Sequence, residues 1–190
     1  MKIFPKVWIL LTAVLMISAF GCKTQTENNN AEKKAIENNI SGAIAVIHPL
    51  NGSDVTGTVY FKKLPEGIEI TADINGLTPG KHGFHVHEYG DLRAEDGSSA
   101  GGHFNPFDEP HGGPTMQKRH VGDLGNIEAP EEGTAHYQMI NNLISFSGES
   151  SIIGRSIIIH EGEDDFTTQP SGNSGKRIAG GVIGIANPKY

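Results

Sequence analysis

A single stretch of the chain, from His82 to Asp123, contains six of its nine histidines. Neutral imidazole is the commonest transition-metal ligand in proteins, and a carboxylate can complete a zinc site. The stretch therefore predicts a metal centre, and any fold of this chain has to bring these side chains together. The candidate ligands within it are His82, His85, His87, His103, His111, His120 and Asp123.

The spacing within this stretch predicts how the ligands are presented. His85 and His87 are two residues apart, so on a β-strand both rings point to the same face and can reach one metal ion. The segment from Gly90 to Gly122 is rich in glycine, proline and aspartate, which predicts a long loop. Such loops are uncommon unless they are functional or disordered, and bound metal can order them. The alternative is a histidine-rich loop without metal.

The rest of the chain has the sequence pattern of an all-β protein. Apolar and polar residues alternate from Ile68 to Ile74, which is typical of a half-buried strand. Turn signals separate similar short segments throughout, and no segment has a convincing helical pattern. These features predict an eight-stranded antiparallel sandwich or flattened barrel. The predicted strands are residues 43–47, 55–62, 68–74, 82–89, 125–128, 134–140, 156–161 and 178–186.

The N-terminus has the features of a targeting segment. Lys2 and Lys6 precede an apolar run from Val7 to Phe20, which is short for a membrane span. The polar residues 23–39 contain few large apolar side chains and predict a flexible tether. We therefore expect a signal peptide over residues 1–21, a tether over residues 22–40 and one folded domain over residues 41–190.

The charge balance excludes some functions. The formal net charge is −7, and removal of residues 1–21 makes it −9, because two of the 15 basic residues and none of the 22 acidic ones are lost. This charge opposes nucleic-acid binding and any simple attraction of an anionic substrate.

Several motifs together resemble the copper-zinc superoxide dismutases. They occur in the order typical of that family and extend over about residues 41–190. The motifs are Gly83-Phe84-His85-Val86-His87-Glu88-Tyr89-Gly90-Asp91, Gly102-His103-Phe104-Asn105-Pro106, His120-Val121-Gly122-Asp123-Leu124-Gly125-Asn126, Gly154-Arg155-Ser156-Ile157-Ile158-Ile159-His160-Glu161 and Gly172-Asn173-Ser174-Gly175-Lys176-Arg177.

The resemblance implies an eight-stranded Greek-key β-barrel with a long metal-binding loop and a shorter second active-site loop. It also implies dismutation of superoxide to oxygen and hydrogen peroxide, with copper and zinc as cofactors. The donor types alone do not separate this pair of metals from two zinc ions. By resemblance, copper is held by His85, His87, His103 and His160, and zinc by His103, His111, His120 and Asp123.

Four further roles follow from the resemblance. His103 bridges both metals and carries a proton during turnover, and Arg177 draws in and docks superoxide, aided by Lys176. Asp164 hydrogen-bonds to one ligand of each metal, and His82 lies buried behind the copper ligands. His48 and His136 match no ligand position and are expected at the surface.

The chain departs from the family at a disulfide. The family ties the long loop to the last strand by two cysteines, and the matching positions here are Gly97 and Gly180. A native disulfide in a small secreted domain contributes about 2–5 kcal/mol to stability. We expect bound metal and close backbone packing of the two glycines to hold the loop instead.

Two expectations concern partners. Residues 19–23, Ala-Phe-Gly-Cys-Lys, resemble a bacterial lipoprotein signal, so Cys22, the only cysteine, is the predicted lipidation site. The alternative is ordinary cleavage to a soluble periplasmic protein. Three segments resemble the homodimer interface of the animal enzymes, namely residues 90–91, 153–154 and 182–185.

The alternative function is a non-catalytic, metal-buffering lipoprotein of the cell envelope. The complete ligand set and Arg177 favour the enzyme, whereas the missing disulfide favours the alternative. A scaffold or adhesion domain explains none of the histidines.

Overall fold

The computed structural model describes residues 40–189, and its regular structure is almost entirely β-strand. A single 3-10 turn, Ser98–Ala100, lies in the loop between β4 and β5. Within residues 40–189 no helix is long and apolar enough to cross a membrane. The predicted signal peptide and the tether up to residue 39 lie outside the described residues. The strands are β1 Gly42–Pro49, β2 Thr56–Leu64, β3 Gly67–Asn75, β4 Gly80–His87, β5 Asp123–Ala129, β6 Ala135–Asn141, β7 Ser156–His160, β8 Arg177–Val182 and β9 Gly184–Ile185.

The strands form one antiparallel ladder in the order β5-β4-β7-β8-β1-β2-β3-β6, with β9 also paired to β1. β1 joins the two halves, because residues 42–47 pair with β2 while His48 and Pro49 pair with β8. At the ends of the ladder, the Tyr137 hydroxyl of β6 donates to the Leu124 carbonyl of β5 over 2.7 Å. The barrel is thus nearly closed, and the two crossovers β3-to-β4 and β6-to-β7 give the expected Greek key.

The barrel interior follows the period-2 pattern of the sequence. In β3, the side chains of Ile68, Ile70, Ala72 and Ile74 are buried, and those between them are more exposed. Inward side chains from the other strands, including Phe61 and Phe84, complete one hydrophobic core. Burial of apolar surface on the inner face stabilises the barrel at about 25 cal/mol per Å².

The outer face of β4 and β7 is covered as well. Phe84 and Val86 of β4 belong to the barrel core, so His85 and His87 point outward on the same face, as the spacing predicted. All five residues of β7 are buried. Ile157 and Ile159 face the core, whereas Ile158 packs outside it with Leu50 and Ala100, beneath the long loop.

The last predicted strand, residues 178–186, is divided in two. β8 pairs with β7 and β9 pairs with β1. The break falls at Ile183, whose N–H donates to the Arg155 carbonyl and whose carbonyl accepts from the Gly154 N–H, both over 2.8 Å. These bonds to the β6–β7 connection replace ladder bonds at one residue. The predicted eight-stranded barrel is therefore confirmed, with β9 as a short continuation of β8.

Candidate metal centre

Three strands and one loop bring the predicted ligands to one place outside the barrel. His85 and His87 come from β4, and His160 ends β7, which pairs with β4. Asp123 begins β5 directly opposite His85 in the register. The β4–β5 loop supplies the other three, and a β-bridge between His87 and His103 fixes its path. Two clusters result, within each of which the ligand atoms lie no more than 4.8 Å apart. They are a four-histidine cluster (His85, His87, His103, His160) and an aspartate cluster (His103, His111, His120, Asp123).

Backbone carbonyls fix the tautomers in the four-histidine cluster. A carbonyl only accepts, so Nδ1–H of His87 donates to Gly101 O over 3.0 Å, and Nδ1–H of His160 donates to Gly175 O over 3.1 Å. Both Nε2 atoms are therefore unprotonated and carry a lone pair, and the two atoms face each other at 3.4 Å. Two facing lone pairs repel unless a cation lies between them. The arrangement therefore fits a metal ion.

The other two ligand nitrogens of this cluster also lack a hydrogen-bond partner. Nε2–H of His85 donates to Asp164 over 2.8 Å, which leaves its Nδ1 as a lone pair. That Nδ1 and Nε2 of His103 are buried and have no hydrogen-bond partner. Buried polar atoms are nearly always paired, so two orphans aimed into one cluster again indicate a site for a cation.

The aspartate cluster is arranged around one oxygen. Oδ1 of Asp123 lies 2.9, 3.1 and 3.2 Å from Nδ1 of His103, His111 and His120. Ligands of a tetrahedral zinc ion, at about 2.0–2.2 Å from the metal, lie roughly this far apart. The other carboxylate oxygen accepts N–H groups of Gly112 (3.0 Å) and His120 (2.9 Å), which aims Oδ1 at the imidazoles. Nδ1 of His111 and of His120 are buried without partners.

Electrostatics differ between the clusters. Burial lowers the pKa of His85, His87 and His103, and lowers that of His160 to about 4, so these rings are neutral and ready to bind metal at pH 7. Burial also opposes protonation of His111, yet Asp123 and Asp164 raise its pKa to about 9. The aspartate cluster therefore favours positive charge strongly, which suits a divalent cation.

Asp164 joins the two clusters. Its Oδ2 accepts from His85 over 2.8 Å, and its Oδ1 accepts from Nε2–H of His111 over 2.9 Å. Gly172 approaches so closely that a Cβ there would overlap Oδ1 of Asp164, and its φ of 66° also favours glycine. One carboxylate thus fixes the tautomer of a ligand in each cluster, which is the position predicted for it.

One residue of the site was missed from the sequence. Oε1 of Gln169 accepts from the His111 N–H over 2.8 Å, and its Nε2 donates to the His111 carbonyl over 3.0 Å. This reciprocal pair binds the second loop, residues 161–176, to the backbone of a ligand. A lone glutamine in a loop gives no signal in a sequence. His82 is buried as predicted, and its Nδ1–H donates to the carbonyl of His160 over 2.9 Å.

An open cavity of about 380 Å³ leads to the four-histidine cluster. Arg177 lines it together with His87, His103 and His160. The guanidinium donates to the Gly97 and Gly101 carbonyls of the long loop, the latter over 2.6 Å. Burial lowers the pKa of Arg177, but a guanidinium remains charged at any physiological pH. The histidines without a predicted ligand role, His48 and His136, are exposed as expected.

The expected backbone packing of Gly97 against Gly180 is wrong. Gly97 and Gly180, which match the two cysteines of the family, do not pack backbone against backbone, because a side chain lies between them. A Cβ added at Gly97 would lie 3.0 Å from Cδ1 of Leu50, and one added at Gly180 would lie 3.3 Å from the same methyl group. A leucine therefore fills this space.

The fold and the site together define a β-barrel protein with two adjoining clusters that could each hold a metal ion and that share one imidazole. The sequence profile of the family described as copper/zinc superoxide dismutase matches residues 55–183. The chain therefore belongs to the copper/zinc superoxide dismutase family.

Relatives with that name cover most of the chain. It is 44% identical over 153 residues to the extracellular superoxide dismutase [Cu-Zn] of Brugia pahangi, covering 76% of each chain. Identity is 45% over 156 residues with the superoxide dismutase [Cu-Zn] of Onchocerca volvulus, covering 76% of this chain and 96% of that one. A crystal structure titled for the clock protein EA4 aligns with a TM-score of 0.71 and 41% identity, over 77% of this chain and 95% of that one.

These findings establish the activity at the level of the family. The protein is a superoxide dismutase of the copper-zinc type, an oxidoreductase that uses copper and zinc. The predicted substrate, superoxide, and the predicted cofactors are confirmed. The non-catalytic, metal-buffering alternative gains no support from the relatives.

Proposed function

We propose that the four-histidine cluster binds the copper and that the aspartate cluster binds the zinc. The observation that carries this assignment is the pair of facing Nε2 lone pairs of His87 and His160 at the cavity. Copper has to meet the substrate, and three of the four ligands of this cluster line the open cavity beside Arg177, against two of the four in the aspartate cluster. A closed set of three imidazoles and one carboxylate suits zinc in a structural role.

The residues of the chain then have distinct tasks. Bound copper supplies one-electron redox chemistry, so that two superoxide anions and two protons give one O2 and one H2O2. Arg177 offers a fixed cation to the incoming anion, which the net negative charge of the protein otherwise repels. Nε2 of His103 would be a copper ligand and, whenever it is not bound to metal, could hold a proton for the peroxide product, while Nδ1 keeps the ring at the aspartate cluster.

Single-ligand variants test the assignment by metal content. We expect His87→Ala to lose copper and keep about one zinc per chain, because His87 belongs to one cluster only. His120→Ala is its matched counterpart and should lose zinc first. Elemental analysis after dialysis against a weak chelator gives both numbers. Loss of zinc from His87→Ala with retention of copper would reverse the assignment.

We further propose that the protein is exported and anchored to the bacterial cell envelope through a lipid on Cys22, where it removes superoxide. The basic and apolar residues 1–21 and the lone cysteine after them support this proposal, as does the name of the extracellular relative. The domain 41–190 then follows a tether of residues 22–40. A soluble periplasmic protein is the alternative.

Substitution of the anchor residue separates the two possibilities. We expect Cys22→Ser to move the protein from the membrane fraction to the soluble fraction, because the acylated thiol is lost. Thr26→Ala is the control and should remain in the membrane fraction. Fractionation with detection of the protein is the measurement. Equal partition of Cys22→Ser and the unaltered protein would support the soluble alternative.

We propose a homodimer through the outer face of β1, β8 and β9. Three large apolar side chains are exposed there, Val46 (51%), Val182 (46%) and Ile185 (57%). The predicted interface segments meet at this face, since a Cβ on Gly90 would lie 3.1 Å from Val182 and would overlap the Gly154 carbonyl. Burial of this patch against a second copy removes apolar surface from water.

A charge on this face should prevent association. We expect Val182→Glu to be monomeric, because dimerisation would bury an unpaired carboxylate. Ile140→Glu is the matched control, since Ile140 is 47% exposed on β6, which lies at the end of the ladder, three strands away from β1. Sedimentation velocity measures the masses. A dimeric Val182→Glu, or a monomeric Ile140→Glu, would contradict the proposed interface.

A further inference from the structure

A short turn after β1, Leu50 to Ser53, lies between the long loop and β8. On one side, the Asn51 N–H donates to the Glu95 carbonyl over 3.0 Å. On the other side, the Leu50 N–H donates to the Ile178 carbonyl over 2.8 Å, and Nδ2 of Asn51 donates to the Arg177 carbonyl over 2.9 Å. The turn therefore joins the loop to the strand that carries the docking arginine.

The side chain of Leu50 adds an apolar contact to these polar ones. Its Cδ1 lies between Gly97 of the loop and Gly180 of β8. Leu50, Ala100 and Ile158 form a hydrophobic cluster of their own, separate from the barrel core. This cluster lies beneath the 3-10 turn Ser98–Ala100, so the packing of Leu50 determines how closely the loop approaches the barrel.

The same part of the loop determines where the guanidinium lies. Both carbonyls that accept from Arg177, those of Gly97 and Gly101, flank this 3-10 turn. A Cβ on Gly97 would also lie 3.2 Å from Cδ of Arg177. A movement of the loop therefore moves the guanidinium relative to His87 and His160.

We propose that the turn Leu50–Ser53 is a non-covalent clasp that positions Arg177 and the long loop, in place of the covalent link that this chain lacks. Leu50 and Asn51 are its positioning residues, and neither belongs to the two ligand clusters. The inference rests on the proposed docking role of Arg177 for its effect on rate, but not for its effect on the loop.

Hydrogen exchange in the metal-loaded protein tests the effect on the loop. The Gly97 N–H donates to Ala94 O over 2.9 Å and the Ala100 N–H donates to Gly97 O over 3.1 Å. We expect Leu50→Ala to raise exchange of both amides about tenfold or more, because local opening becomes easier. Leu77→Ala is the matched control, a leucine that is also buried but lies in the barrel core, and should leave these two amides unchanged relative to the rest of the chain.

A double-variant cycle tests the effect on docking. We expect Leu50→Ala to lower kcat/KM by about fivefold and to weaken its dependence on ionic strength, as misplacement of a charged group does. In an Arg177→Ala background the same substitution should change kcat/KM by less than about twofold, because the group it positions is absent. Leu50→Met, which conserves volume, should restore both exchange and rate.

Two results would overturn the proposal. One is exchange of Gly97 and Ala100 in Leu50→Ala equal to that in Leu77→Ala. The other is a rate loss of equal size with and without Arg177, which would indicate general destabilisation. If Arg177→Ala itself leaves the rate unchanged, the docking role of Arg177 fails, and the exchange data still decide whether the clasp holds the loop.

Discussion

His103→Ala should abolish dismutase activity, with kcat/KM lowered by more than about 100-fold, and should weaken binding of both metals. His103 is the one side chain that belongs to both clusters. Its Nε2 is a buried orphan beside the four-histidine cluster, and its Nδ1 lies 2.9 Å from Asp123. Loss of a residue that only orients a ligand already costs about 10–100-fold, so loss of a shared ligand should cost more. Pulse radiolysis measures the rate, and elemental analysis measures both metals.

The control for this variant is His136→Ala. His136 is exposed on β6, where its Nδ1 hydrogen-bonds to Asp73 over 2.8 Å, and it belongs to neither ligand cluster, so its removal should leave activity and metal content unchanged. A His103→Ala protein that keeps more than about a tenth of the activity would refute the proposed role of the shared imidazole. Selective loss of one metal would show instead that the bridge matters to that site alone.

The barrel was predictable because its inner face obeys a period of two residues. β3 alternates along its whole length, and the sequence shows the same alternation. β7 does not alternate, because the long loop buries its outer face as well as its inner one. The division between β8 and β9 at Ile183 depends on bonds to Gly154 and Arg155, which are distant in sequence, so no local pattern predicts it.

Strand geometry also made part of the site predictable. The pair His85 and His87 follows from strand geometry alone. The hydrogen bond between His111 and Asp164 depends on two loops that meet only in the folded chain, and residue spacing carries no such information. The resemblance to the family supplied the bridging role of Asp164, but not the zinc ligand to which it bonds. Gln169 and Leu50 belong to no motif, and their roles arise from contacts that only the structure contains.

Removal of both metals should destabilise this protein strongly. The loop between β4 and β5 has one 3-10 turn and no other regular structure, and three of its side chains are predicted ligands. Each ion present at about 1,000 times its Kd stabilises the folded state by about 4 kcal/mol. In a domain of this size, each kcal/mol shifts Tm by about 2–4 °C. The loss of both ions should therefore lower Tm by on the order of 15–30 °C.

Calorimetry of the metal-loaded and chelated protein at pH 7 measures this shift, and reloading with copper and zinc should restore it. Hydrogen exchange locates the effect. Amides of residues 88–122 should lose protection in the metal-free protein, whereas those of β2 and β3, which lie on the other half of the barrel, should keep theirs. Chelation removes no atom of the clasp Leu50–Ser53, so a metal-free protein that melts within about 3 °C of the loaded one would mean that the clasp alone holds the loop. A large shift with exchange spread evenly over the barrel would mean that the metals stabilise the whole fold rather than the loop.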